Sequence, residues 1–146
     1  MMPAIRNMTT PNDLKIAFAV LKELRTNLEF AEFLGLYDKA STADRYTLVG
    51  CFDGDACVAV MGYRVLFDFV HGAHLYVDDL ITTEKQRSKG NGQLLLKYAE
   101  DQARTQGLAG LRLCTGVDND AGKRFYEREG WQLRSVAYKK KLKGGD

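Results

Sequence analysis

Apolar residues fall at Leu14, Ala17, Phe18, Leu21 and Leu24, a spacing that puts them on one side of an α-helix. Thr10-Pro11-Asn12-Asp13 precedes them. It offers a capping hydroxyl, a proline suited to the first turn and a carboxylate for the positive helix end. A second helical pattern runs through Phe30, Phe33, Leu34 and Tyr37. From Tyr46 the period changes to that of extended chain. Residues 46–52, 56–69 and 74–82 read as strands, the second with an irregularity, and residues 4–8 as a short first strand. Asp53-Gly54 reads as a hairpin turn with both positions at positive φ. Leu94, Leu95, Tyr98, Ala99 and Ala103 make the apolar stripe of a helix over residues 91–106, with Gly107 as its C-terminal cap. Residues 110–115 read as a short buried strand. Asp118 or Asn119 caps a helix ending at Gly130, and residues 131–142 form one or two final strands.

The expected order is therefore βααβββαβαβ(β), an α/β (α+β) sheet with helices on both faces. The unit from 74 to 115 should be a right-handed parallel crossover. The length, 146 residues, fits a single domain over 1–146. Composition is ordinary for a globular protein, at 45% hydrophobic and 27% charged. The net charge of +2 gives no case for nucleic acid or membrane. The basic cluster Lys139, Lys140, Lys141 and Lys143 reads as a solvated strand end rather than a nucleic-acid patch. Cys51, Cys57 and Cys114 are odd in number and lack framework spacing, which suggests free thiols and a cytoplasmic setting. No apolar run approaches the ~20 residues of a membrane span, and MMPAIRNMTT lacks a signal-peptide core.

Candidate chemistry begins at Arg87-Ser88-Lys89-Gly90-Asn91-Gly92, between a strand and a helix. The first amides of a helix have no partner within it. Glycines let the backbone approach a ligand closely, and the resulting nest of N–H groups favours an anion such as a pyrophosphate. The loop is neither a Walker sequence nor a dinucleotide fingerprint, for it has no third glycine. Taken alone, it reads equally as a tight strand-to-helix turn.

Its neighbours narrow the choice. Arg87-x-x-Gly90-x-Gly92 resembles the acyl-CoA pyrophosphate loop of the GNAT superfamily of acetyl-CoA-dependent N-acetyltransferases. Upstream, Tyr76-Val77-Asp78-Asp79-Leu80-Ile81-Thr82 resembles that superfamily's fourth strand. Downstream, residues 119–131, with Asn119, Ala121, Phe125, Tyr126, Glu127, Gly130 and Trp131, resemble its later helical segment. Glu84, Gln86, Ser88, Asn91 and Trp131 depart from the usual residues without removing any backbone amide. The resemblance implies a GNAT fold: a mixed, mostly antiparallel sheet of six to seven strands, with splayed central parallel strands. It implies an acyltransferase that passes an acetyl group from acetyl-CoA to a primary amine by direct attack. A homodimer is expected from resemblance alone.

The same resemblance distributes the roles. Arg87, Ser88, Lys89, Gly90, Asn91 and Gly92 would hold the pyrophosphate. Leu80, Ile81 and Thr82 would hold the cofactor arm through main-chain groups. Asn119 would orient that arm, or cap its helix, or both. Tyr126 would give a proton to the departing thiolate; without the family it reads as helix packing beside Phe125. Regular alternation sends Asp78 and Asp79 to opposite faces. His74, Tyr76, Asp78, Leu80 and Thr82 then form a polar row lining a wet cleft, and Leu75, Val77, Asp79 and Ile81 a core row. Asp78 is then expected to be the base or amine anchor, or else an ordinary solvated strand carboxylate, with Tyr76 and His74 as further substrate contacts, while Asp79 ties down a neighbouring loop. Phe30, Phe33, Tyr37, Tyr63 and Phe67 divide between core and acceptor-site wall. Cys114 reads as a buried small hydrophobe on the fifth strand. No metal is expected, since no Cys, Glu or third His joins His71 and His74. The acceptor is expected to be a small molecule. A protein or peptide amine, a non-catalytic acyl-CoA sensor and a plain nucleotide-phosphate-binding domain are the rival readings.

Overall fold

Thr10 opens the first helix as the pattern requires. In the computed structural model, which describes residues 3–86 and 89–144, its hydroxyl accepts from the Asp13 amide. The Asp13 carboxylate accepts in return from the Thr10 amide, a reciprocal cap. This helix is α1 (Pro11–Leu21), and it follows β1 (Ala4–Asn7). Then come α2 (Phe30–Ala43), β2 (Thr47–Asp53), β3 (Ala56–Asp68), β4 (Gly72–Thr82), α3 (Asn91–Thr105), β5 (Gly110–Leu113) and α4 (Asp120–Arg128), with a short 3₁₀ turn at Glu84–Gln86. The chain forms two compact units, Met1–Leu113 and Cys114–Asp146.

The first unit holds one five-stranded sheet in the order β1-β2-β3-β4-β5. All neighbours are antiparallel except β4 and β5, which are parallel across the α3 crossover. Each face carries its own apolar cluster. Val49, Met61, Tyr63, Leu75 and Val77 pack with Leu95, Ala99 and Ala103 of α3. Leu48, Phe52, Val60 and Ile81 pack with Leu14, Ala17, Val20 and Leu21 of α1 and Phe33 of α2. Helices thus cover both faces, as expected. No helix among the described residues is long and apolar enough to cross a membrane.

Three expectations are corrected. The sheet has five strands rather than six or seven, because residues 131–142 form no strand. Their apolar alternation changes phase between Leu133 and Val136, so no single register buries both halves. Leu133, Val136, Tyr138 and Leu142 are exposed. The β2–β3 turn is centred on Gly54-Asp55, with Asp53 paired to Ala56. Only Gly54 takes positive φ, at 62°, the pattern of a turn that needs glycine at its first central position alone. Cys114 lies beyond β5 and is exposed, because the strand ends one residue before it.

Candidate functional site

The pairing of β3 with β4 decides the site. Tyr63 pairs with Val77 and Gly62 with Asp79, so Asp78 is an extra residue opposite no partner. Such a bulge bends the strand and re-aims its side chains. Leu75, Val77 and Leu80 pack in the α3-side cluster, whereas Ile81 packs in the α1/α2-side cluster. The two rows expected from strict alternation therefore do not exist, and this corrects the polar-row reading. Asp78 and Asp79 do not go to opposite faces, because the bulge resets the parity between them. Both turn to the α1/α2 side, as their partners show.

Asp78 accepts from Arg64 Nε and Nη2 at 2.8 Å each, a two-pronged pair of the strong kind. Hydrogen bonding to Asp78 raises the Arg64 pKa above its ordinary value. Arg64 also lies 3.9 Å from Asp44. Asp79 accepts from the Tyr46 hydroxyl at 2.8 Å and from Arg25 Nη2 at 3.2 Å. It thereby ties β4 to the segment after α1. Burial, and then the Asp79 charge, push the Tyr46 pKa far upward, so this phenol serves as a fixed donor. Asp44, Asp78 and Asp79 set three carboxylates against the two guanidiniums of Arg25 and Arg64, leaving one negative charge over.

Aromatic rings continue this face. Phe30 and Phe33 lie 5.3 and 5.4 Å from Phe18, Tyr37 lies 6.3 Å from Phe33, and Tyr46 lies 6.4 Å from Tyr37. Phe33 and Tyr63 are core, while Phe67 is 73% exposed. Tyr76 lies under two cations, with Arg112 at 4.7 Å and Arg64 at 5.7 Å from its ring centre. His74 is only 1% exposed, so it lines no wet cleft. Arg64, Tyr46 and Arg25 escaped the sequence reading. Arg64 had one legible signal, a cation inside the apolar run Ala59–Phe67.

The β4–β5 ladder runs only from His74–Gly110 to Val77–Leu113. It stops where the bulge begins, so Leu80, Ile81 and Thr82 lie on the stretch of β4 that β5 does not pair. Arg87 and Ser88 lie outside the described residues. Lys89 is exposed. Gly90 caps α3 at φ 82°, with no side-chain hydrogen bond to the cap and no acidic residue in the first turn. Asn91 is 5% exposed, its Oδ1 lying 4.0 Å from the buried Cys51 sulfur; Gly92 follows in the helix. A left-handed cap that only glycine adopts easily, next to first-turn amides that have no acceptor within the helix and to a lysine, fits an anionic diphosphate.

In the second unit, Asn119 caps α4, its Oδ1 accepting from the Gly122 amide at 3.0 Å. Its Nδ2 donates to the Thr115 hydroxyl at 2.9 Å. Capping is thus its observed role. Tyr126 lies 5.2 Å from the Phe125 ring and 6.1 Å from Trp131. Burial raises its pKa, so the hydroxyl carries its proton at neutral pH. Burial likewise raises the Cys57 thiol to about 11 and raises that of Cys51, which removes both as thiolate nucleophiles.

Residues 12–131 match the family model for the acetyltransferase (GNAT) family. The chain is 30% identical over 137 residues to the uncharacterized N-acetyltransferase YhdJ of Bacillus subtilis (strain 168), covering 93% of this chain and 96% of that protein. Among solved structures, a transcriptional regulator from Bacillus halodurans C-125 superposes with a TM-score of 0.85 at 18% identity, covering 96% of this chain and 99% of that one. AAC(6')-Iy, in complex with the bisubstrate analog CoA-S-monomethyl-acetylneamine, superposes with a TM-score of 0.82 at 14% identity, covering 97% and 100%. These two structural likenesses concern the fold.

Proposed function

The chain belongs to the acetyltransferase (GNAT) family, and on that footing we propose that it transfers an acetyl group from acetyl-CoA to the primary amine of a small molecule. The observation that carries this reading is the end of β4–β5 pairing at Val77, followed by the bulge and then by the glycine-capped start of α3. The structure of AAC(6')-Iy with a CoA-based analog supports acetyl-CoA as the donor and a small amine as the acceptor.

When bound, acetyl-CoA supplies a thioester open to attack by an amine. Backbone amides from Lys89 to Gly92 hold its diphosphate, and the resemblance adds Arg87 and Ser88 to that role. Main-chain groups of Leu80, Ile81 and Thr82 hold its arm, which Asn119 helps to orient. An alkyl amine has a pKa near ~10.4 and enters mostly as the cation. The surplus negative charge around Asp44, Asp78 and Asp79 draws it in. Asp78, held in fixed orientation by Arg64, anchors the ammonium and accepts its proton directly or through water, leaving the neutral amine to attack. Tyr76 supplies the adjoining wall. His74 is buried and takes no part in this reading. Tyr126 gives its proton to the departing thiolate. Domain 1–146 acts as one functional unit, in keeping with a family match that runs across both compact units.

Thiol release from acetyl-CoA, measured over polyamines, aminoglycosides, hexosamines, amino acids and peptide N-termini, tests the proposal. Turnover of a small amine is expected, with Asp78→Asn raising its KM. Acetyl-CoA binding without turnover of any amine would point instead to a non-catalytic sensor. Turnover of peptides alone would move the acceptor to a protein amine.

A further inference from the structure

The hairpin between β3 and β4 gathers three metal-ligating side chains that the transfer chemistry does not use. Asp68 ends β3 and pairs with Gly72 across the turn. The His71 amide donates to Asp68 Oδ1 at 2.6 Å, which orients the carboxylate. The His71 Nδ1 atom lies 3.1 Å from both oxygens of that group. His74 Nε2 lies 3.9 Å from Asp68 Oδ2. One ligand atom from each residue lies within 4.8 Å of the others. Asp68, three residues before His71, supplies the third ligand type that no Cys, Glu or further His provides.

The tautomer of His74 is set as metal ligands require. Its Nδ1–H donates to the Gly72 carbonyl at 2.9 Å, which leaves the Nε2 lone pair turned toward Asp68. A backbone carbonyl in this position fixes ring orientation and raises ligand basicity. Arg112 Nε–H reaches that lone pair at 3.4 Å. Its guanidinium also sits 4.7 Å from the Tyr76 ring, an alternative resting place.

We propose that Asp68, His71 and His74 bind a divalent transition-metal ion of the zinc type, with Arg112 as a competing cation. Two imidazoles and one carboxylate suit zinc, cobalt, nickel or copper, and not magnesium or calcium. Ligand atoms around tetrahedral zinc lie about 3.4 Å apart, from bonds of ~2.0–2.1 Å. Closing the cluster from 4.8 Å falls to the exposed His71 side chain. The buried His74 stays in place, while the exposed Asp68 carboxylate closes its 3.9 Å gap to His74 Nε2 by a small rotation. A metal displaces Arg112 from Nε2, so removing that cation strengthens the site.

Isothermal titration of the EDTA-treated, untagged full chain with zinc chloride tests this, with visible absorption of the cobalt-loaded protein as a second readout. One equivalent is expected to bind, and magnesium chloride should give no heat. Asp68→Asn and His71→Ala lie on an exposed turn and leave the core intact. Each should weaken zinc at least about tenfold, and Arg112→Met should tighten it. Zinc heat from neither the native chain nor Arg112→Met would overturn the proposal. So would unchanged affinity in His71→Ala.

Discussion

Gly62 leaves room for the Tyr46 ring. A Cβ at Gly62 would land on the Tyr46 hydroxyl, which donates to Asp79. Gly62→Ala should therefore push the phenol off the carboxylate. Overpacking of this kind costs about 1–3 kcal/mol, to be read from urea denaturation. A loss well below that range would mean that Tyr46 has another place to go. Tyr126→Phe tests a different point, because it removes one hydroxyl and keeps the ring packing with Phe125 and Trp131. The kcat should fall roughly 10²-fold or more with acetyl-CoA affinity unchanged, and full activity would remove Tyr126 from the mechanism. These two tyrosines differ in legibility. Tyr126 is singled out for its proposed role by the motif around it. Tyr46 stood as an ordinary strand residue, since its partner Asp79 is 33 positions away and no local pattern reports such a pairing.

Helices were legible because their signals are local. The Thr10 cap, the stripe of α3 and the glycine after it all lie within a few turns of the residues they organise. Thr10→Ala should cost about 1 kcal/mol by the same denaturation assay. The pH dependence of this cap has a definite sign. The Thr10 amide, aided by that of Thr9, holds the Asp13 pKa below its ordinary value of 3.8. A group whose pKa is depressed on folding stabilises fully above its unfolded pKa and is lost as pH falls through the folded one. Asp13→Asn should flatten the acid end of the stability profile, and an unchanged profile would exclude this cap as a source of acid sensitivity. At α3, Lys89→Glu should weaken acetyl-CoA binding more than it weakens folding. Equal binding by calorimetry would count against the loop assignment. Strands were less legible than helices. The final segment kept strand-like composition, but a strand needs a ladder, and a phase change at 134–135 is a weak signal in one sequence.

At the scale of the molecule, a ligand that binds only the folded chain must raise its stability. Acetyl-CoA at 100 times its Kd should add about 2.7 kcal/mol, visible as a rise in Tm that ATP does not match. An equal rise with ATP would favour a general nucleotide-phosphate site. The sheet with helices on both faces was readable from the order of elements, because burial of two faces leaves few alternatives. The facing of Asp78 and Asp79 was not, because Tyr-Val-Asp-Asp-Leu-Ile alternates as plausibly with the bulge as without it. The bulge makes residue 78 surplus to the ladder. Excising its codon would join Val77 directly to Asp79 while each keeps its present partner on β3. The shortened chain should fold with both cores intact, yet lose the grip on Arg64 and the acceptor with it. A strand in mid-sheet that survives a one-residue deletion, but becomes catalytically idle, would mark position 78 as a functional insertion in an otherwise regular ribbon.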